Sequence, residues 1–125
     1  MILPCLFVNT TQDMGRGVFT SEKIKANTII EIAPVIVMGE KDWRLLDQTL
    51  LFYYIFEWDI KKCCVALGYV SIYNHSYSSN CEYEMDIAAE HIRIKTMRNI
   101  KAGEELFINY NGDWNNKKKL WFDAK

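Results

Sequence analysis

No stretch of the 125-residue chain approaches the roughly 20 consecutive apolar residues that a bilayer-crossing helix needs, so a membrane-spanning helix is not expected. The opening Met1-Ile2-Leu3-Pro4-Cys5-Leu6-Phe7-Val8 is apolar but has neither a basic leader nor a small-residue cleavage site, which argues against a secretory signal. An excess of positive charge is also missing: 15 basic against 16 acidic residues leave a formal charge of −1. Without a global positive field, direct nucleic-acid binding is not expected. The single basic block, Asn115-Asn116-Lys117-Lys118-Lys119, reads first as solvated surface. Cys5, Cys63, Cys64 and Cys81 lack the paired C-x-x-C spacing of a zinc site, and adjacent Cys63 and Cys64 would form a strained disulfide. They read as reduced thiols filling a core, with no metal. Internal repeats, low-complexity segments and linkers are absent too, and no G-x-G-x-x-G opens a helix, so a dinucleotide fold is not supported.

What is present fits one domain over residues 1–125, soluble and intracellular, with 111–125 as a short C-terminal lid or tail. Hydrophobic residues make up 50% of the chain and aromatics 14%, more than a disordered segment carries, so a compact fold is expected. The first third reads as short β segments: Leu6 to Val8, Gly17 to Thr20, Thr28 to Ile32 and Pro34 to Met38, β-branched runs punctuated by Gly, Asn and Pro. Between Asp42 and Phe56 the spacing of Trp43, Leu45, Leu46, Leu50, Leu51 and Tyr54 predicts a short helix that starts near Asp42 and gives way to a strand around Phe52. Cys63 to Leu67 is expected to pair back as a hairpin. Cys81 to Met85 and His91 to Met97 alternate as strands with one wet face, and Glu105 to Tyr110 forms a last strand. The pattern predicts a mainly β fold with one or two short helices.

Three blocks carry chemistry. Gly15-Arg16-Gly17 precedes a β segment; taken alone it is a tight turn, yet missing side chains also let backbone approach a ligand. Tyr73-Asn74-His75-Ser76 with Asn80 forms N-H-S-x-x-x-N, which alone could simply cap a loop. Gly103-Glu104-Glu105-Leu106 leads to Tyr110 in a G-E-E-L-x-x-x-Y pattern. In this order and within so short a chain, the three resemble the signature blocks of the SET-domain protein-lysine methyltransferases. The likeness runs from Gly15 to about Trp114 and is greatest to the minimal viral and bacterial members without zinc-binding flanks. Ser79 replaces the family's usual proline, the usual arginine ahead of the Asn-His block is absent from Tyr69 to Tyr73, and the early glycine-glutamate feature is not evident in Ile29 to Val35.

That resemblance implies a SET (β-clip) fold of several small sheets, with a C-terminal pseudoknot that threads Tyr110 beside Asn74. It implies S-adenosylmethionine as methyl donor, S-adenosylhomocysteine as product and no metal. Arg16 and Gly17, Asn74, His75, Tyr110 and Trp114 would hold the donor; Tyr110 would be the catalytic residue; Tyr54, Tyr83 and Tyr110 would line a channel for the substrate lysine. Trp114 and Leu120-Trp121-Phe122 stand where many relatives have a zinc-binding segment, which implies an apolar lid. The expected substrate is a protein, a histone tail favoured, laid along an edge strand. The alternatives are a methyltransferase for a non-histone protein, an inactive SET-fold module that binds a lysine-bearing partner, and a structural subunit whose apolar tail around Trp121 and Phe122 serves a homodimer contact. The expected location is cytoplasmic, or the host nucleus if the protein is viral or a bacterial effector.

Overall fold

The computed structural model describes residues 1–110; the lid or tail expected over 111–125, with Trp114, Trp121 and Phe122, lies outside the described residues. Nine strands appear in chain order: β1 (Leu6–Thr10), β2 (Arg16–Thr20), β3 (Ile29–Met38), β4 (Phe56–Trp58), β5 (Lys62–Ala66), β6 (Asn74–His75), β7 (Cys81–Asp86), β8 (His91–Thr96) and β9 (Glu105–Ile108). One helix, α1 (Glu40–Leu46), and two 3₁₀ turns, Leu50–Tyr54 and Val70–Ile72, complete the set. The strands form a four-stranded sheet in the order β1-β2-β9-β6 and a five-stranded sheet in the order β4-β5-β3-β8-β7. The mainly β, several-sheet expectation holds. No helix among the described residues is long and apolar enough to cross a membrane.

The two runs separated at Pro34 are in fact one ten-residue strand. Proline removes a ladder donor and is normally confined to strand edges. Here β3 changes partner at that residue: its pairing with β8 ends at Pro34 opposite His91, and its pairing with β5 begins at Val35 opposite Ala66. The missing N–H therefore falls between two ladders. Across β7 and β8 the expected wet face is a row of opposed charges, Glu82 and Glu84 against Lys95 and Arg93, with Asp86 beside His91. Such half-exposed pairs stabilise little but mark the register. The opposite face of β8, through Ile92, Ile94 and Thr96, is fully buried.

The short helix expected near Asp42 is present, but the strand expected around Phe52 is not. The apolar spacing after Asp42 does give a helix, but α1 has only seven residues, buries none of them and has no side-chain cap at Gly39. Thr49, with extended backbone, separates it from the 3₁₀ turn at 50–54, and no strand begins before Phe56. A helix this short gains little without a packed face. Leu45 and Leu50 remain 64% and 75% exposed. The strand is short because a tight turn at Asp59–Lys61 pairs Trp58 with Lys62, which leaves three residues to the hairpin. The core lies instead between the two sheets, among Val18, Ile30, Trp58, Ile94, Leu106 and Ile108.

Truncating Leu106, fully buried, to Ala is expected to cost about 2–5 kcal/mol in urea or guanidinium unfolding. Leu45→Ala should change stability by no more than about 0.5 kcal/mol, as at an ordinary surface position; equal losses at the two sites would contradict this placement of the core.

Candidate active site

The three sequence blocks meet because their strands are neighbours. β9 pairs antiparallel with β2, Val18 opposite Leu106 and Phe19 opposite Glu105, and parallel with β6, Asn74 opposite Phe107 and His75 opposite Ile108. Asn80 then closes over β9: its Oδ1 accepts the Phe107 N–H at 2.8 Å and its Nδ2 donates to the Glu105 carbonyl at 2.9 Å. Its side chain is buried and its two bonds are made to backbone, so it works as a clamp on the strand.

Asn74 Nδ2 donates to the Arg16 carbonyl (3.1 Å) and to Glu105 Oε2 (2.8 Å), which ties the glycine turn to both later blocks. Gly17 is buried beneath this contact. A Cβ there would overlap the Glu105 carboxylate and come within 3.0 Å of Asn74 Nδ2, so the absent side chain makes room for this internal bond. Gly15, at φ +69°, faces open space and supplies the turn's positive φ.

Tyr110 is held at three points. Its hydroxyl donates to the Tyr73 carbonyl (2.7 Å), its N–H donates to His75 Nδ1 (3.1 Å), and its carbonyl accepts the Tyr83 hydroxyl (2.8 Å). The Phe56 ring meets both Tyr83 and Tyr110 edge-on, with centroids 5.2 and 6.1 Å apart, and His75 lies 5.1 Å from the Tyr110 ring. Burial, with Tyr54 nearby, pushes the Tyr110 phenol up to about 12. It is therefore a neutral hydrogen-bonding group at physiological pH. Tyr54 sits on the 3₁₀ turn rather than on a strand. Tyr54 is partly exposed, and its carbonyl accepts the Ser71 hydroxyl at 2.7 Å.

His75 must be neutral to accept from the Tyr110 N–H, which leaves its proton on Nε2. That nitrogen is buried with no partner among the described residues, and the ring stands edge-on to Tyr77 at 4.4 Å. Burial lowers the His75 pKa from 6.5. Burial also pushes the Cys64 and Cys81 thiols up to about 12, so both stay protonated, and all four cysteines are free. Among the described residues no group of three or more His, Cys, Asp or Glu is placed to hold a metal ion.

One residue escaped the sequence reading. Glu31 is fully buried, its Oε2 accepting the Tyr69 N–H (2.7 Å) and its Oε1 the Tyr73 hydroxyl (2.8 Å). Strict alternation after buried Ile30 would send it to solvent. A β-bulge between Ile29 and Glu31 turns both Ile30 and Glu31 inward. The available signal was a carboxylate interrupting the apolar run Ile29-Ile30-Glu31-Ile32.

The three blocks thus converge around a restrained tyrosine, and the SET domain family model matches residues 15–111. The chain belongs to the SET-domain family of protein-lysine methyltransferases. Among its relatives is a histone-lysine N-methyltransferase, H3 lysine-37 specific, of Schizosaccharomyces pombe, 38% identical over 94% of this chain and 77% of that protein. A histone-lysine N-methyltransferase, H3 lysine-36 specific, of Cryptococcus neoformans is 30% identical over 82% of this chain, which spans only 14% of that longer protein. The solved structure of a candidate histone methyltransferase from Plasmodium falciparum superposes with a TM-score of 0.66 at 28% identity, covering 90% of this chain and 98% of that one. A Chaetomium thermophilum Polycomb Repressive Complex 2 structure shares the fold, with a TM-score of 0.75 at 18% identity over 91% of this chain and 16% of that one.

The His75 geometry fixes a pH dependence. A histidine whose folded pKa is depressed contributes stability that is complete above its unfolded value and is lost as pH falls below about 6.5 toward the folded value. Denaturant unfolding between pH 7.5 and 5 is expected to show this loss, and His75→Gln should remove that part of the slope; an unchanged slope in the variant would assign the loss to other groups.

Proposed function

We propose that this chain transfers methyl groups from S-adenosylmethionine to the side-chain amine of a lysine in a protein, with a histone tail as the favoured substrate. The observation that carries this reading is the convergence of the Gly15–Gly17 turn, Asn74-His75 and, just past β9, Tyr110 at the adjacent strands β2, β9 and β6, with Tyr54 and Tyr83 beside Tyr110. The relatives named for histone H3 lysines favour a histone over another protein substrate.

The residues suit the methyl donor. Buried His75 Nε2–H is a donor without a partner among the described residues, as a ligand-binding group is before its ligand arrives, and the turn at Gly15 is open. Arg16 and Gly17 through their backbone, Asn74, His75 and the Tyr110 region would hold it; it supplies a methyl group on a cationic sulfur when bound. Trp114, expected to cover this site, lies outside the described residues. The chain's own contribution is alignment and water exclusion, because an in-line displacement gains most from fixing the reacting atoms.

The substrate amine must be neutral to attack. From a reference pKa near 10.4, removing the proton at pH 7 costs about 4–5 kcal/mol. An aromatic passage formed by Tyr54, Phe56, Tyr83 and Tyr110 around the substrate lysine would disfavour the ammonium form by desolvation and reduce that cost. Burial pushes the Tyr110 phenol up to about 12, which disfavours a tyrosinate acting as base. With its hydroxyl proton committed to the Tyr73 carbonyl, its oxygen lone pairs are acceptors that orient the amine. β7 carries Tyr83 and is the edge of its sheet among the described residues, so a substrate strand laid there would pass beside Tyr110.

Incubation with radiolabelled S-adenosylmethionine and a panel of histones and cell lysates tests the reading. Wild type should label a histone, and Tyr110→Phe should do so on the order of 100-fold more slowly. Equal labelling by both removes Tyr110 from the mechanism. Absence of labelling by wild type, with lysine-peptide binding retained, would replace the enzyme by a binding module.

A further inference from the structure

Tyr110 owes its hydroxyl orientation to a backbone carbonyl, that of Tyr73, and a carbonyl is only as fixed as the segment that carries it. The segment from Gly68 to Tyr73 is a single 3₁₀ turn between strands, a kind of structure with little rigidity of its own. Glu31 holds it at both ends. One carboxylate oxygen takes the Tyr69 N–H where the turn begins, and the other takes the Tyr73 hydroxyl where it ends. Gly68, at φ +94°, lets the chain approach this closely: a Cβ there would overlap the Glu31 carboxylate.

The arrangement is costly on general grounds, which is a reason to look for its use. A carboxylate in an apolar core loses several kcal/mol of solvation unless its oxygens are satisfied. Burial raises the Glu31 pKa, opposed by the Tyr69 and Tyr73 hydrogen bonds and by the charge of the N-terminus. Met1 lies close because its ammonium donates to the Ile32 carbonyl at 2.8 Å and Ile2 bridges to Glu31. Local bulges that re-aim a side chain are over-represented beside active sites. Every polar partner of this carboxylate belongs to the turn that ends on the Tyr110 acceptor.

We propose that Glu31 is a positioning residue for Tyr110: it fixes the Tyr73 ring and the turn before it, so that the Tyr73 carbonyl sets the direction of the Tyr110 hydroxyl. Glu31 acts through the turn it holds, by its bonds to the Tyr69 N–H and the Tyr73 hydroxyl. The inference rests on the methyl-transfer reading for its kinetic consequence, though not for its geometry.

A double-mutant cycle separates this role from simple support of the fold. Tyr73→Phe removes only the hydroxyl that Glu31 holds, and Glu31→Gln keeps the side chain's volume. Each is expected to lower kcat about tenfold or more in the wild-type background, with KM and donor Kd within about twofold. In the Tyr110→Phe background the same substitutions should change the residual kcat by less than about twofold, because there is no longer a hydroxyl to orient. An equal loss in both backgrounds, or no loss in either, overturns the proposal. If wild type transfers no methyl group, the functional reading fails, and the geometry is then decided by the ¹³Cζ resonance of Tyr110 in labelled protein. A shift of that resonance in both Glu31→Gln and Tyr73→Phe supports the link, and an unmoved resonance overturns it.

Discussion

The parallel pairing of Asn74-His75 with Phe107-Ile108 joins segments far apart in the chain, and every other feature of the site follows from that contact. A parallel pair cannot be closed by a hairpin, so the chain between β6 and β9 has to travel out through β7 and β8 and return. Its return leaves β9 between β2 and β6, with Asn80 closing over it through two backbone hydrogen bonds. Once β9 is seated, Glu105 can reach Asn74, and Asn74 can reach Arg16. Tyr110, just past the strand, then falls against His75, Tyr73, Tyr83 and Phe56 together.

The groups around Tyr110 are of one electrostatic kind. Its phenol is held protonated by burial, His75 is held neutral by burial and by the bond it accepts, and the polar contacts are carbonyls and hydroxyls. The buried carboxyl of Glu31 bonds to the Tyr73 hydroxyl rather than to Tyr110. Neutral acceptors and ring faces would suit the proposed methyl transfer, since they accommodate positive charge without binding it so tightly that the amine stays protonated.

Much of this was legible before any coordinates. The strand segments were visible in β-branched runs, and the three blocks in short polar patterns whose order matched a family. The same reading failed where local pattern and tertiary burial parted. Trp43, Leu45, Leu46, Leu50 and Leu51 have the spacing of a packed helix face, yet α1 and the turn after it bury nothing among the described residues. Pro34 reads in the sequence as the start of a separate strand and is instead the point where one strand changes partners.

By itself the sequence singled out the residues proposed to bear the chemistry: the glycine turn, Asn74, His75 and Tyr110 stand in short polar patterns whose order resembles the family's blocks. Only the tertiary structure decided how they are used. Gly17 makes room for Glu105 and Asn74, which no spacing reveals, and Glu31 is turned into the core by a bulge whose register is set by distant β8. The direction of a side chain on a strand depends on which partner the strand pairs with and on where that pairing slips, and both are properties of the folded sheet.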